Sequence, residues 1–296
     1  MRLGTTSLSV TKPGSVRKYA AAAAAASESV NFADVSDYSH VRFDRINVSS
    51  SQACYGIEFN NDGTIVYTLD GLTGHKPIIQ TPLSTPYDIS THGASTGSID
   101  TYAQGYTIAV GLRFKPDGTK LWVADYYGKF RMYNLSTAWD VTTASVSNDF
   151  YSPGGNITGF YWKPDGTSIY HIDQQSDKVY RREFSTAWDI TSTVTTTSSV
   201  LLDLTTTTDE DYSRALYFSP DGLKLYICGY EHDKVYMYNL STAWDITSSS
   251  FSGVPDDTLY VGSEEIYPLA ITFNPTGKHM YIGGTGGDGV DQYSRP

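Results

Sequence analysis

Tyr133-Asn-Leu-Ser-Thr-Ala-Trp-Asp-Val-Thr142 is said twice more further along the chain, as Glu183-Phe-Ser-Thr-Ala-Trp-Asp-Ile-Thr191 and Tyr238-Asn-Leu-Ser-Thr-Ala-Trp-Asp-Ile-Thr247. A divergent copy, Leu83-Ser-Thr-Pro-Tyr-Asp-Ile-Ser-Thr91, precedes them. Self-similarity of this kind settles architecture before any single residue does.

Upstream of each copy stands a second repeated phrase. Five segments share it: Gly56-Ile-Glu-Phe-Asn-Asn-Asp-Gly63, Gly111-Leu-Arg-Phe-Lys-Pro-Asp-Gly118, Gly159-Phe-Tyr-Trp-Lys-Pro-Asp-Gly166, Ala215-Leu-Tyr-Phe-Ser-Pro-Asp-Gly222 and Ala270-Ile-Thr-Phe-Asn-Pro-Thr-Gly277. Each reads as a short strand running into a tight turn. Pro presets φ, Asp bonds nearby backbone, and Gly takes the positive φ that closes a hairpin. A second strand follows every turn, as in Leu121-Trp-Val-Ala and Leu225-Tyr-Ile-Cys, and a third follows a polar loop, as in Lys129-Phe-Arg-Met-Tyr133. After the Ser-Thr-Ala-Trp-Asp turn, Ser/Thr-rich stretches such as Ala144–Tyr151 and Ser192–Leu204 supply a fourth strand. The turn glycines at 63, 118, 166, 222 and 277 stand 55, 48, 56 and 55 residues apart. Four antiparallel strands at that period make a β-propeller blade. The fifth unit has only three strands in all, and Val41-Arg-Phe-Asp-Arg-Ile-Asn-Val48 is available to supply the fourth. The expectation is an all-β, single five-bladed propeller over residues 32–296, its ring closed by that N-terminal strand so that no sheet edge stays open.

Residues 1–31 read as a separate anchoring arm: a polar stretch to Pro13-Gly14, then a short helix over Ser15–Glu28 built on the alanines Ala20 to Ala26. Its apolar core is short for a secretion leader, and Arg17-Lys18 sit deep for one. Arg2, Lys12, Arg17 and Lys18 against Glu28 give the first 30 residues a net charge of +3, suited to docking on an acidic partner, and leave −14 for the remainder. An acidic body lacks the clustered Lys and Arg that nucleic acid requires. No run approaches the ~20 apolar residues of a membrane span. Tyrosine is abundant, with 24 residues, and charged residues make up only 18%. Cys54 and Cys228 are too few for a disulfide framework, and Cys228 reads as a small core residue.

The Phe-x-Pro-Asp-Gly-x-x-Leu-Tyr grammar resembles YVTN/lactonase-like and WD-like propeller repeats over residues 41–296. The Ser-Thr-Ala-Trp-Asp-Ile-Thr copies resemble more narrowly a repeat of tailed-phage virion proteins, which implies a virion location. Fold is what the first resemblance implies; it is nearly silent on function.

Trp139, Trp188 and Trp244, with Tyr87 in the divergent copy, stand at equivalent points of successive blades. Near-identity suits indoles wedged between blades, with Asp140, Asp189 and Asp245 bonding turn amides, better than a ring of sugar platforms. The first strands face the axis with Glu58, Arg113, Tyr161, Tyr217 and Thr272, where a metal-dependent lactonase would want several carboxylates or histidines. One Glu beside one Arg reads instead as an inter-blade ion pair. The histidines show no ligand spacing, the Asp-Gly turns too few oxygens for calcium, and no nucleophile elbow or phosphate loop is present. The expectation is a protein that is not an enzyme and needs no cofactor or metal. What varies between blades is one rim: Tyr126, Tyr127, Gln174, Gln175, Tyr230, Glu231 and His232 in loops between second and third strands, and Asp211, Tyr212, Glu264 and Tyr267 in loops entering first strands. Tyrosine beside adaptable polar groups suits protein or saccharide. The reading is a virion tail or surface-appendage component, its arm bound to other virion proteins and its propeller to a protein or host-surface glycan. The alternatives are a secreted carbohydrate-binding propeller and a metal-dependent hydrolase.

Overall fold

The computed structural model describes residues 32–44, 46, 53–70, 77–101, 108–197, 202–204, 212–247, 254–286 and 289–296. The expected arm and helix, with Arg2, Lys12, Arg17 and Lys18, lie outside them, as does Asp211.

Every tight turn begins a hairpin, and the hairpins assemble as five antiparallel sheets. Blade 1 is β2 (Cys54–Phe59), β3 (Ile65–Asp70), β4 (Pro77–Pro82) and β5 (Gly97–Asp100). Blade 2 is β6 (Ala109–Phe114), β7 (Lys120–Asp125), β8 (Lys129–Leu135) and β9 (Ala144–Tyr151). Blade 3 is β10 (Ile157–Trp162), β11 (Ser168–Asp173), β12 (Lys178–Phe184) and β13 (Val194–Thr197), with the short β14 (Leu202–Asp203) also on β12. Blade 4 is β15 (Ser213–Phe218), β16 (Lys224–Gly229), β17 (Lys234–Asn239) and β18 (Asp257–Tyr260). Blade 5 is β19 (Pro268–Phe273), β20 (His279–Gly284) and β21 (Val290–Ser294), completed by β1 (Ser39–Asp44). The first strands β2, β6, β10, β15 and β19 touch in a closed ring around the axis. The protein is a five-bladed β-propeller.

One boundary differs from the sequence reading. The closing strand begins at Ser39 rather than Val41 and is described to Asp44, pairing Ser39 with Ser294 and Asp44 with Val290; residues 45, 47 and 48 of the expected strand lie outside the described residues. Of the fourth strand expected over Ser192–Leu204, β13 and β14 are described, both antiparallel to β12, and residues 198–201 between them lie outside the described residues.

The Ser-Thr-Ala-Trp-Asp turn is held at two places in blades 1, 2 and 4; in blade 3 the second place is taken by Trp122 of blade 2, its ring 5.6 Å from Trp188. Asp140 N–H donates to Thr137 O at 3.2 Å, so Trp139 is the third residue of a four-residue turn, with φ 67°. Trp188, Trp244 and Tyr87 repeat that conformation at 63°, 65° and 61°. A left-handed non-glycine residue costs about 1–2 kcal/mol. What offsets it is burial of the ring on the blade's own Asp-Gly turn: a Cβ placed on Gly118 would stand 2.4 Å from the Trp139 indole. Asp140 then accepts from Thr142 N–H, and Asp189 and Asp245 accept from Thr191 and Thr247 N–H.

The second lock crosses to the neighbouring blade. Tyr67, Tyr170 and Tyr281 occupy one position of the second strands, and their hydroxyls donate to the main-chain oxygens of Trp139, Trp244 and Tyr87 on the next blade. Tyr226 at the same position has no Ser-Thr-Ala-Trp-Asp copy to meet; its hydroxyl donates to Ala33 O at 3.1 Å. Phe32 lies against Gly277 as Trp139 lies against Gly118, and Val35 is buried as Val141 and Ile89 are. Phe32-Ala33-Asp34-Val35-Ser36 is thus a fifth wedge, disguised by its letters. Changing Tyr67 or Tyr170 to Phe leaves a carbonyl without its donor and is expected to cost about 1 kcal/mol each. The two sites are far apart, so urea denaturation of the double variant should give the sum.

Candidate functional site

The strands alternate in direction, so the Asp-Gly and Trp-Asp turns gather at one end of the propeller. The second-to-third-strand loops and the entries to first strands gather at the other. At that second end the rim tyrosines form an arc. Tyr126 and Tyr127 pack edge to face at 5.5 Å. Tyr126 receives a hydrogen bond from Asn156 Nδ2 and lines a cleft of about 350 Å³ with Gln174, Gln175, Asp177 and Tyr212. Tyr212 meets Tyr230 at 6.4 Å, and Tyr230 stacks on Tyr267 at 4.5 Å.

One residue ties the arc together. Arg214, on β15, lays its guanidinium 4.6 Å over the Tyr230 ring and donates to Gln174 Oε1 at 3.1 Å. It thereby joins the blade 3 loop to blade 4. Tyr127, Tyr212 and Tyr267 stay 55%, 45% and 42% exposed. Tyr267 itself sits at φ 58°, its N–H held by Asp233 Oδ1 at 2.7 Å. Gln175 is exposed in its turn, Glu231 is exposed and His232 half-buried at the β16–β17 tip. Glu264 is half-buried and accepts from Ser263. The structure therefore brings together Tyr126, Gln174, Gln175 and Tyr212 in the cleft, and Tyr212, Tyr230 and Tyr267 beside it. Sequence reasoning missed Arg214 and Asn156. Arg214 stands where a strand begins, and the only signal was a cation at the entry of a first strand between two tyrosine loops.

The axis is occupied by one ion pair. Arg113 of blade 2 donates through one terminal nitrogen to Glu58 Oε2 of blade 1 at 2.6 Å. Its other terminal nitrogen reaches Leu216 O and Ile271 O, on blades 4 and 5, at 3.3 and 3.5 Å. Burial pushes the Glu58 carboxyl up from its usual range, against the opposing pull of the Arg113 charge. Between the first strands above this pair the cavity is only about 20 Å³, room for a water molecule. Among the described residues no three His, Cys, Asp or Glu side chains converge as a metal site. His171, the most buried histidine among the described residues, is held neutral by burial, which pushes its pKa down to about 3. Cys54 and Cys228 are both buried and unlinked, and burial pushes the Cys54 thiol up to about 12. No helix among the described residues is long and apolar enough to cross a membrane.

No protein-family model matches the chain, and no curated protein matches it. Solved structures do. A protein of unknown function from Desulfotomaculum acetoxidans is 13% identical, with a TM-score of 0.49 over 84% of this chain and 76% of its own. A Bacteroides uniformis protein, provisionally designated a 6-phosphogluconolactonase, is 14% identical, with a TM-score of 0.44 over 77% of this chain and 63% of its own. A Bacteroides fragilis protein of the same provisional designation is 17% identical, with a TM-score of 0.44 over 76% of this chain and 61% of its own. The chain spans less than two thirds of the length of these two Bacteroides proteins. Likeness at this level says nothing of chemistry, and the five-bladed fold rests on the strand pairing of the chain itself.

Proposed function

We propose that this protein is a non-enzymatic interaction module whose tyrosine rim engages a protein or glycan partner. The observation that carries the reading is the arc from Tyr126 to Tyr267, stiffened from beneath by Arg214 while three rings stay exposed. Rigid aromatic faces beside amide side chains give contact area at low entropic cost. The axial ion pair supports a non-catalytic role, since Arg113 is spent on backbone carbonyls of other blades. Placement in a tailed-phage virion, with residues 1–31 as the anchor to other virion proteins, rests on the resemblance of the Ser-Thr-Ala-Trp-Asp-Ile-Thr copies.

The test is a triple rim variant, Tyr127→Ala/Tyr212→Ala/Tyr267→Ala, beside a chain lacking residues 1–30. The rim variant is expected to melt as the parent does but to lose host-cell binding by at least about tenfold, as loss of exposed aromatic anchors does. The truncated chain is expected to keep that binding and fail to incorporate into particles. Unchanged binding by the rim variant sinks the rim assignment. Unchanged incorporation of the truncated chain sinks the virion anchor.

A further inference from the structure

At the end opposite the rim, where β2, β6 and β10 run out into their tight turns, a cavity of about 150 Å³ opens beside the axis. Its walls include the rings of Trp139, Trp162, Trp188 and Tyr161, and its floor is the Glu58–Arg113 pair.

Three observations decide what it can hold. The floor is already neutral, because the two charges are paired at 2.6 Å. Glu58 keeps 22% of its side chain exposed beside that pair, so a carboxylate oxygen can still accept from a ligand hydroxyl. Finally, Trp139 and Trp188 are only half-buried, although each packs on its own turn glycine, so part of each indole remains for a ligand.

A second cation entering here would meet Arg113 with its counter-ion already taken. An anion would meet the Glu58 carboxylate and an Arg113 already paired to it. A neutral ring bearing hydroxyls avoids both conflicts. Its apolar face covers an indole, and a hydroxyl donates to Glu58. Space of about 150 Å³ admits one six-membered ring. We propose that this cavity binds a single pyranose unit of a neutral saccharide. The site is independent of the rim and lies on the other face.

The experiment follows the indole N–H resonances of the full-length protein during titration with methyl β-glucoside, methyl β-galactoside, methyl α-mannoside and N-acetylglucosamine. Short oligosaccharides of each are titrated in parallel. At least one glycoside is expected to shift Trp139, Trp162 or Trp188 to saturation. Glu58→Gln should weaken that binding about tenfold, the loss of one charge-assisted hydrogen bond, while Tyr127→Ala on the rim leaves it unchanged. Tighter binding of the oligosaccharide assigns a chain end, and equal binding a free sugar; either supports the site. Trp188→Phe gives the same reading should Glu58→Gln fail to fold. The proposal is overturned if no glycoside moves these indoles, or if folded Glu58→Gln binds as the parent does. It is also overturned if arginine methyl ester moves the indoles and glycosides do not, which would assign a basic peptide instead.

Discussion

Phe32→Ala lowers the unfolding free energy by about 3–5 kcal/mol, the usual cost of emptying a large aromatic site in a core. Phe32 is 3% exposed, with ring centres 5.3 Å from Phe273, 6.1 Å from Tyr217 and 6.2 Å from Tyr226. It joins blades 4 and 5, and no other copy of the wedge can substitute there. The loss also loosens Ala33 O, which receives the Tyr226 hydroxyl, and the approach to β1. Once β1 leaves, β21 becomes an open edge, so soluble aggregates should accompany unfolding. Urea denaturation measures the effect, with Val41→Ala on the exposed side of β1 as the reference. That surface change should stay within about 0.5 kcal/mol. A Phe32→Ala midpoint equal to the reference would show that closure rests on strand pairing alone.

Arg113→Ala is the second large effect, expected at about 3–5 kcal/mol near neutral pH, because it leaves a buried carboxylate without its partner. The pH dependence has a definite sign. Burial raises the Glu58 pKa in the folded state, and Arg113 is what lowers it. A carboxyl raised on folding contributes stability that is full below its unfolded value, about 4.3, and is lost as pH rises through the folded value. Without Arg113 the folded value climbs further. The variant should therefore recover stability as pH falls toward about 4 and lose it more steeply than the parent on the way to neutrality. Urea midpoints at constant m-value across that range check it. Replacing both members by Met and Leu removes the buried charge altogether and should restore most of the loss.

Fold was legible wherever the information was local. Pro116-Asp117-Gly118 announces its hairpin because Asp117 bonds Thr119 N–H and Gly118 sits at φ 71°; neither needs a distant partner. The strand Ala144–Tyr151 was readable for the same reason. Phe32 was not, since nothing in Phe-Ala-Asp-Val-Ser spells Trp-Asp until Gly277 is placed beneath it. On the rim, strand order told which loops would share one end of the propeller. Only the folded chain shows that Arg214 reaches from β15 across to Gln174, and that Trp139 and Trp188 leave part of their rings facing Glu58. Contacts between blades are set by the ring, and no window of sequence contains it.

The disguised wedge has a consequence for how the molecule is made. Residues 32–44 belong to blade 5, yet their partners β19–β21 are the last strands of the propeller to be synthesised. At about 5–20 residues per second, synthesis of the intervening chain takes on the order of 10–50 s. For that time Phe32, Val35 and Tyr38 have no core to enter, while blades 1 to 4 already have their own strands. The nascent propeller is an open arc with a sticky leading end, and a holding chaperone would act there, on the first residues of the repeat, until the final blade arrives.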